Sequence, residues 1–160
     1  TRSSYSVPQA TKNALGHFAY ILEGMKEDGA EATMIFIHWG EEYEIKENAA
    51  EDKMAQKLCD LGFDVIIGGH PHVVQPMALL QSTENPEHKT YCLYSLGNAV
   101  SNQRAGISDK FSRYTESGVL LSVTFEKYSD ARHRRQGLCG GHRCHSHLGE
   151  YALQERQTGV

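Results

Sequence analysis

Residues 64–72 read Asp-Val-Ile-Ile-Gly-Gly-His-Pro-His, and this run decides the fold class. Val65 to Ile67 form a short uninterrupted apolar stretch, as expected of a strand buried in a parallel sheet. Two glycines end it and release two histidines on either side of a proline. The same order appears upstream. Ala32-Thr-Met-Ile-Phe-Ile37 is a continuous apolar run, expected to be covered on both faces, and His38-Trp39-Gly40 follows at its C-terminal end. Between the two runs the spacing predicts a helix over 49–61, with Met54, Leu58 and Leu61 on one side and Gly62 as its stop. Before the first run, Ala14, Phe18, Ile21, Leu22 and Met25 recur at helical spacing over 11–28, and Gly29 follows. Helix–strand–helix–strand order implies parallel strands with covering helices, an α/β fold.

Further strands are expected over 76–82 and 90–95. A longer one is expected over 118–127, where Val119, Leu121, Val123 and Phe125 alternate with their neighbours. Residues 98–116, rich in Asn, Ser, Arg and Gly, read as a long surface loop.

The chain has 160 residues, 39% of them apolar, enough for one domain with a core. Its net charge of −4 argues against general nucleic-acid binding, which needs a basic surface. No segment resembles a signal peptide, and no apolar run approaches the roughly 20 residues that span a bilayer. The chain opens on Thr1, so an upstream anchor would not be seen. Charge is uneven: residues 1–130 carry 18 acidic and 11 basic side chains, whereas residues 131–160 carry five Arg and two Glu. The four cysteines, Cys59, Cys92, Cys139 and Cys144, are irregularly spaced. Cys59 falls in a helical pattern and Cys92 in a strand pattern, which suits ordinary buried thiols.

Three histidines leave the C-terminal ends of buried strands, where α/β sheets build ligand sites. His38 ends the first; His70 and His72 leave the second, held apart by Pro71, whose ring fixes its own backbone angle. Two residues apart on an extended segment, His70 and His72 are expected to point the same way. With the strands as neighbours the three imidazoles converge, and imidazole nitrogen suits zinc, manganese or iron. His17, on a helix, and His88, in a polar loop, are expected to be surface residues.

Three blocks, His38-Trp39-Gly40-Glu41-Glu42-Tyr43, Gly68-Gly69-His70-Pro71-His72-Val73 and Tyr94-Ser95-Leu96-Gly97-Asn98, resemble in order and spacing the signature blocks of the CapA family of bacterial capsule synthesis proteins. The likeness spans roughly residues 10–129. The family is similar to the calcineurin-like metallophosphoesterases, which implies that residues 1–129 are the C-terminal half of a four-layer αββα sandwich whose N-terminal half is missing here. The resemblance further implies that His38, His70 and His72 are metal ligands and that Glu41 and Asn98 line the pocket. It implies divalent metal ions (Mn, Fe or Zn), two in the full-length protein. Carboxylate ligands would come from the absent half, so this chain alone is expected to bind metal weakly and to be inactive. Partners would be a polyglutamate or phosphoester substrate and other capsule-synthesis proteins. The location would be the bacterial cell membrane or its outer face. The function so implied is poly-γ-glutamate capsule biosynthesis or export; the alternatives are a generic metal-dependent phosphoesterase acting on phosphodiesters or nucleotides, and an inactive fragment.

Residues 130–160 do not fit. Cys139, His142, Cys144, His145 and His147 lack the paired Cys-x-x-Cys arms of a zinc site. CapA-like chains resume here with a valine-rich stretch and a Pro-Thr-Trp-Val-Asn block. Codons permitted for Ser146 to Tyr151, read one base later, can encode that block. We therefore read 130–160 as a frameshifted tail arising near Asp130, with no selected apolar face and expected to be disordered.

Overall fold

The computed structural model describes residues 14–128, 143–148 and 152–154. Helix α1 (Ala14–Glu27) leads to strand β1 (Met34–His38), helix α2 (Ala49–Leu61) and strand β2 (Val65–Gly69). Strands β3 (Met77–Gln81) and β4 (Lys89–Leu93) follow, then a 3-10 turn (Arg113–Glu116) and strands β5 (Gly118–Leu120) and β6 (Val123–Tyr128). The α/β class is as expected. The main sheet has the order β1-β2-β4-β3, with β1, β2 and β4 parallel and β3 antiparallel at one edge.

Helix α2 begins and ends by local chemistry. Asn48 is its N-cap: the side-chain oxygen accepts from the N–H groups of Ala50 and Glu51, while the Glu51 carboxylate accepts from the Asn48 N–H at 2.8 Å. Gly62 ends the helix at φ 100°, a left-handed conformation that favours glycine. The helix thereby returns the chain to β2 beside β1, in the register His38 to Gly69.

Both helices cover the same sheet face. Leu22, Ala55, Leu58, Phe63, Ile66, Cys92 and Tyr94 are buried together, and Phe18, Ile35, Ile37, Ala78 and Leu80 pack against them. The other face is buried only in the middle, at Val65, Ile67 and Leu93; at its edges Phe36 is 73% exposed and Leu79 52%. The expectation that β1 is covered on both sides is thus corrected, because α1 and α2 share one face and leave Phe36 uncovered. An apolar run states that a strand is hydrophobic, and it does not say which neighbours cover it.

The single strand expected over 118–127 is instead two, β5 and β6, each in its own two-stranded ladder. Strand β5 pairs with β8 (Ala152–Gln154) and β6 with β7 (Arg143–Leu148), both antiparallel. These two segments lie within 130–160. Ladder hydrogen bonds are made by backbone groups, so an edge strand can pair with an extended segment whatever its side chains. The rest of that stretch, Cys139 and His142 included, lies outside the described residues. Among those residues no helix is long and apolar enough to cross a membrane.

Candidate functional site

The parallel strands β1 and β2 end side by side, and the Trp39 N–H donates to the Gly69 carbonyl at 3.1 Å just beyond them. This pairing sets His38 against the start of the Gly69–His72 turn. The rings of His38 and His70 have centroids 4.4 Å apart, and those of His70 and His72 are 6.3 Å apart. The structure therefore gathers the three histidines at one sheet edge.

The backbone there is not extended. His70 has φ 108° and His72 φ 59°, and Tyr43, on the facing loop, has φ 71°. Apart from these three, every described residue with positive φ is a glycine. Such conformations raise the energy of a side-chain-bearing residue and cluster at functional sites. The expectation that His70 and His72 point together because their segment is extended is replaced by this turn. It is held by the Tyr43 N–H, which donates to the Pro71 carbonyl at 2.7 Å.

His72 is the most contacted of the three. Its Nδ1 lies 2.9 Å from Asn98 Oδ1, and its ring stacks on Tyr43, with centroids 6.1 Å apart and planes 25° from parallel. Tyr43 in turn meets Phe111 edge-on. The His72 Nε2 faces Glu42 Oε1 at 4.0 Å; both side chains are solvent-accessible, so this pair contributes little by itself. Asn98, expected to line the pocket, thus contacts a histidine directly. Glu41 is exposed on the loop after β1; its charge adds to those pushing up the Glu51 carboxyl, for which burial is the main cause. Tyr43, Glu42, Gln103 and Thr115 were not singled out in the sequence. Tyr43 and Glu42 belong to the first block, but nothing in their spacing signals the left-handed turn that brings the Tyr43 ring onto His72.

Three imidazoles are suitable donors for a transition metal, yet ligand nitrogens must reach one ion at about 2.0–2.1 Å. Among the described residues no three His, Cys, Asp or Glu side chains are disposed to hold one ion. His38 and His70 are paired, and Asn98 takes only Nδ1 of His72, leaving its Nε2 open. These residues do not by themselves make up a metal centre. His88, expected at the surface, is half-buried with Nε2 3.0 Å from the Phe63 carbonyl, a structural contact far along the chain from the histidine edge.

The family model for "Bacterial capsule synthesis protein PGA_cap" matches residues 4–103. The capsule biosynthesis protein CapA of Bacillus anthracis is 35% identical over 78 residues, 49% of this chain and 17% of that protein. The PGA biosynthesis protein CapA of Bacillus subtilis (strain 168) is 35% identical over 74 residues, 46% of this chain and 18% of that protein. The match thus spans less than a fifth of these relatives' length. No solved structure matches the chain.

Proposed function

The chain belongs to the PGA_cap family of bacterial capsule synthesis proteins, and from that premise we propose that it serves poly-γ-glutamate capsule biosynthesis or export through the His38–His70–His72 edge. One observation carries this reading: three imidazoles meet at the C-terminal ends of parallel strands, two of them on left-handed backbone. A fold holds side-chain-bearing residues in such conformations where the geometry is needed, and this sheet edge is where α/β proteins bind ligands. One Bacillus relative is named for capsule biosynthesis and the other for PGA biosynthesis, which supports this role.

In this reading the histidine edge is part of a centre for divalent metal (Mn, Fe or Zn). Its carboxylate ligands would come from other segments of a longer protein, in keeping with the small share of the relatives that the chain matches. The substrate would be polyglutamate or a phosphoester, and other capsule-synthesis proteins would be partners.

The experiment has two arms. Calorimetric titration of the chain with Zn²⁺ is expected to show binding weaker than about micromolar, as two or three imidazoles without an anionic ligand allow. Fusing the upstream portion of the Bacillus subtilis relative to this chain is then expected to tighten binding and to yield manganese-dependent cleavage of polyglutamate or of a model phosphodiester. Retained metal affinity and activity in a fused His38→Ala, His70→Ala variant would overturn the proposal.

A further inference from the structure

The side-chain amide of Asn98 makes four polar contacts, and together they determine more than its own position. Its Nδ2 lies 3.1 Å from the His72 carbonyl oxygen, 3.0 Å from the Thr115 carbonyl oxygen and 3.0 Å from Gln103 Oε1. A backbone carbonyl can only accept, and the amide donates only through nitrogen. Two main-chain carbonyls therefore settle which end of the Asn98 amide faces them, and Oδ1 must point the other way. It points at His72 Nδ1, 2.9 Å away. An amide oxygen can only accept as well, so this contact is a hydrogen bond only when Nδ1 carries the hydrogen. In a neutral imidazole the lone pair is then on Nε2.

We propose that Asn98 is a positioning residue that holds His72 in its Nδ1–H tautomer and so makes Nε2 the basic atom of the histidine edge. The ring has little freedom to evade this arrangement. A half-turn about its own axis would put a ring carbon where Nδ1 stands, losing the bond to Asn98 Oδ1. On one face Tyr43 is stacked, itself contacted by Gln103 Nε2, which donates to the phenol oxygen at 3.5 Å. Gln103 is tied in turn to Thr115, whose hydroxyl donates to the Gln103 carbonyl. The 98–115 loop thus forms a bracket around one amide, which in turn orients one imidazole. Nε2 is left on the accessible side towards Glu42, where a ligand's acid, proton or cation would arrive.

The functional meaning of this inference rests on the proposed role of His72, but the tautomer belongs to the free chain and is measured without ligand. The whole chain, labelled with ¹⁵N-histidine, is studied by two-bond proton–nitrogen correlation in alkaline buffer, where imidazole is neutral. His72 is assigned from a His72→Gln spectrum. The expected result is a protonated, pyrrole-type Nδ1 and a pyridine-type Nε2. In Asn98→Ala the two resonance types are expected to exchange positions, because free imidazole prefers the hydrogen on Nε2. A wild-type His72 protonated on Nε2 overturns the proposal, and so does an Asn98→Ala variant that keeps Nδ1–H. If Asn98→Ala does not fold, the wild-type spectrum alone decides. Failure of the zinc or fusion experiment leaves this result standing, and the reverse also holds.

Discussion

The indole of Trp39 stacks on the ring of Tyr94, centroids 5.8 Å apart and planes 23° from parallel, and its Nε1–H donates to the Tyr94 backbone carbonyl at 2.8 Å. This crossing is possible because Gly68 lies between them. A Cβ built on Gly68 would sit well inside contact distance of both the Tyr94 carbonyl oxygen and the Trp39 nitrogen. The Tyr94 hydroxyl then donates to Asp52 on α2 at 2.7 Å. One glycine therefore lets the residue after His38 lock onto the strand that leads to Asn98, joining the ends of β1, β2 and β4 beneath the histidines.

Gly68 and Gly69 are adjacent, yet they should respond differently to a methyl group. At Gly69 an added Cβ meets nothing within 4 Å, and its φ is not in the left-handed region. Gly68→Ala should destabilise by about 3 kcal/mol or abolish folding, since backbone has to move. Gly69→Ala should shift stability by less than about 1 kcal/mol. Urea denaturation of both variants checks this; equal midpoints would show that the Trp39–Tyr94 crossing tolerates displacement.

His70 holds φ 108°, a conformation glycine adopts freely. His70→Gly should therefore fold at least as stably as wild type, relieving strain of about 1 kcal/mol, while His70→Ala should not gain. Thermal unfolding compares them. Both should weaken zinc binding in the fused protein. A His70→Gly variant less stable than His70→Ala would mean that the ring's packing, and not the backbone, dominates at this position.

Much of this arrangement was legible in the residues. Helix α2 over 49–61 followed from apolar spacing and Gly62, and the strand ends beside His38 and His70 followed from short apolar runs, the second closed by two glycines. An open sheet face is what half of a two-sheet sandwich implies, but the apolar run of β1 carries no mark of which side the helices cover. The split between β5 and β6 was also hidden, since both halves continue the same alternation and only ladder pairing separates them. At the site, the clustering of the histidines followed from topology. The left-handed backbone at Tyr43, His70 and His72 did not, because histidine adopts it only in a small minority of cases and tyrosine is not enriched there, so residue type does not mark the turn. Asn98 could be placed in the pocket by resemblance, but its grip on His72 depends on carbonyls of residues 72 and 115, which no side-chain pattern encodes.

Cys59 and Cys92 are free and fully buried, and burial pushes both thiols up, that of Cys92 to about 12. The thiolate is the reactive form, so neither should react in the native state. Brief iodoacetamide treatment at about pH 8 followed by peptide mapping should leave both unmodified, and the same treatment in denaturant should label both. Native labelling of Cys92 would show that the core between β4 and the helices opens readily.

Glu51 is 3% exposed, yet only one of its carboxylate oxygens has a partner; Oε1 is buried without one, beside Gly40. Burial chiefly pushes its carboxyl above the ordinary 4.5, with Glu47, Asp52 and Glu41 adding to the effect against the lowering by the Asn48 N–H. Because the folded value is raised, the native state holds this proton more tightly than the unfolded chain does. Below the ordinary value both states are protonated and there is no penalty. As pH rises through the raised value the unfolded chain ionises first, so stability is lost across that window and stays lost above it. Glu51→Gln removes the charge but keeps an oxygen to accept from Asn48, preserving the capping box. The variant should match wild type at about pH 4 and be more stable by about 1 kcal/mol at about pH 7.5. Urea midpoints at the two pH values measure the difference. A variant that is less stable at the higher pH, or whose advantage does not change with pH, would mean that the Glu51 carboxylate is compensated inside the fold.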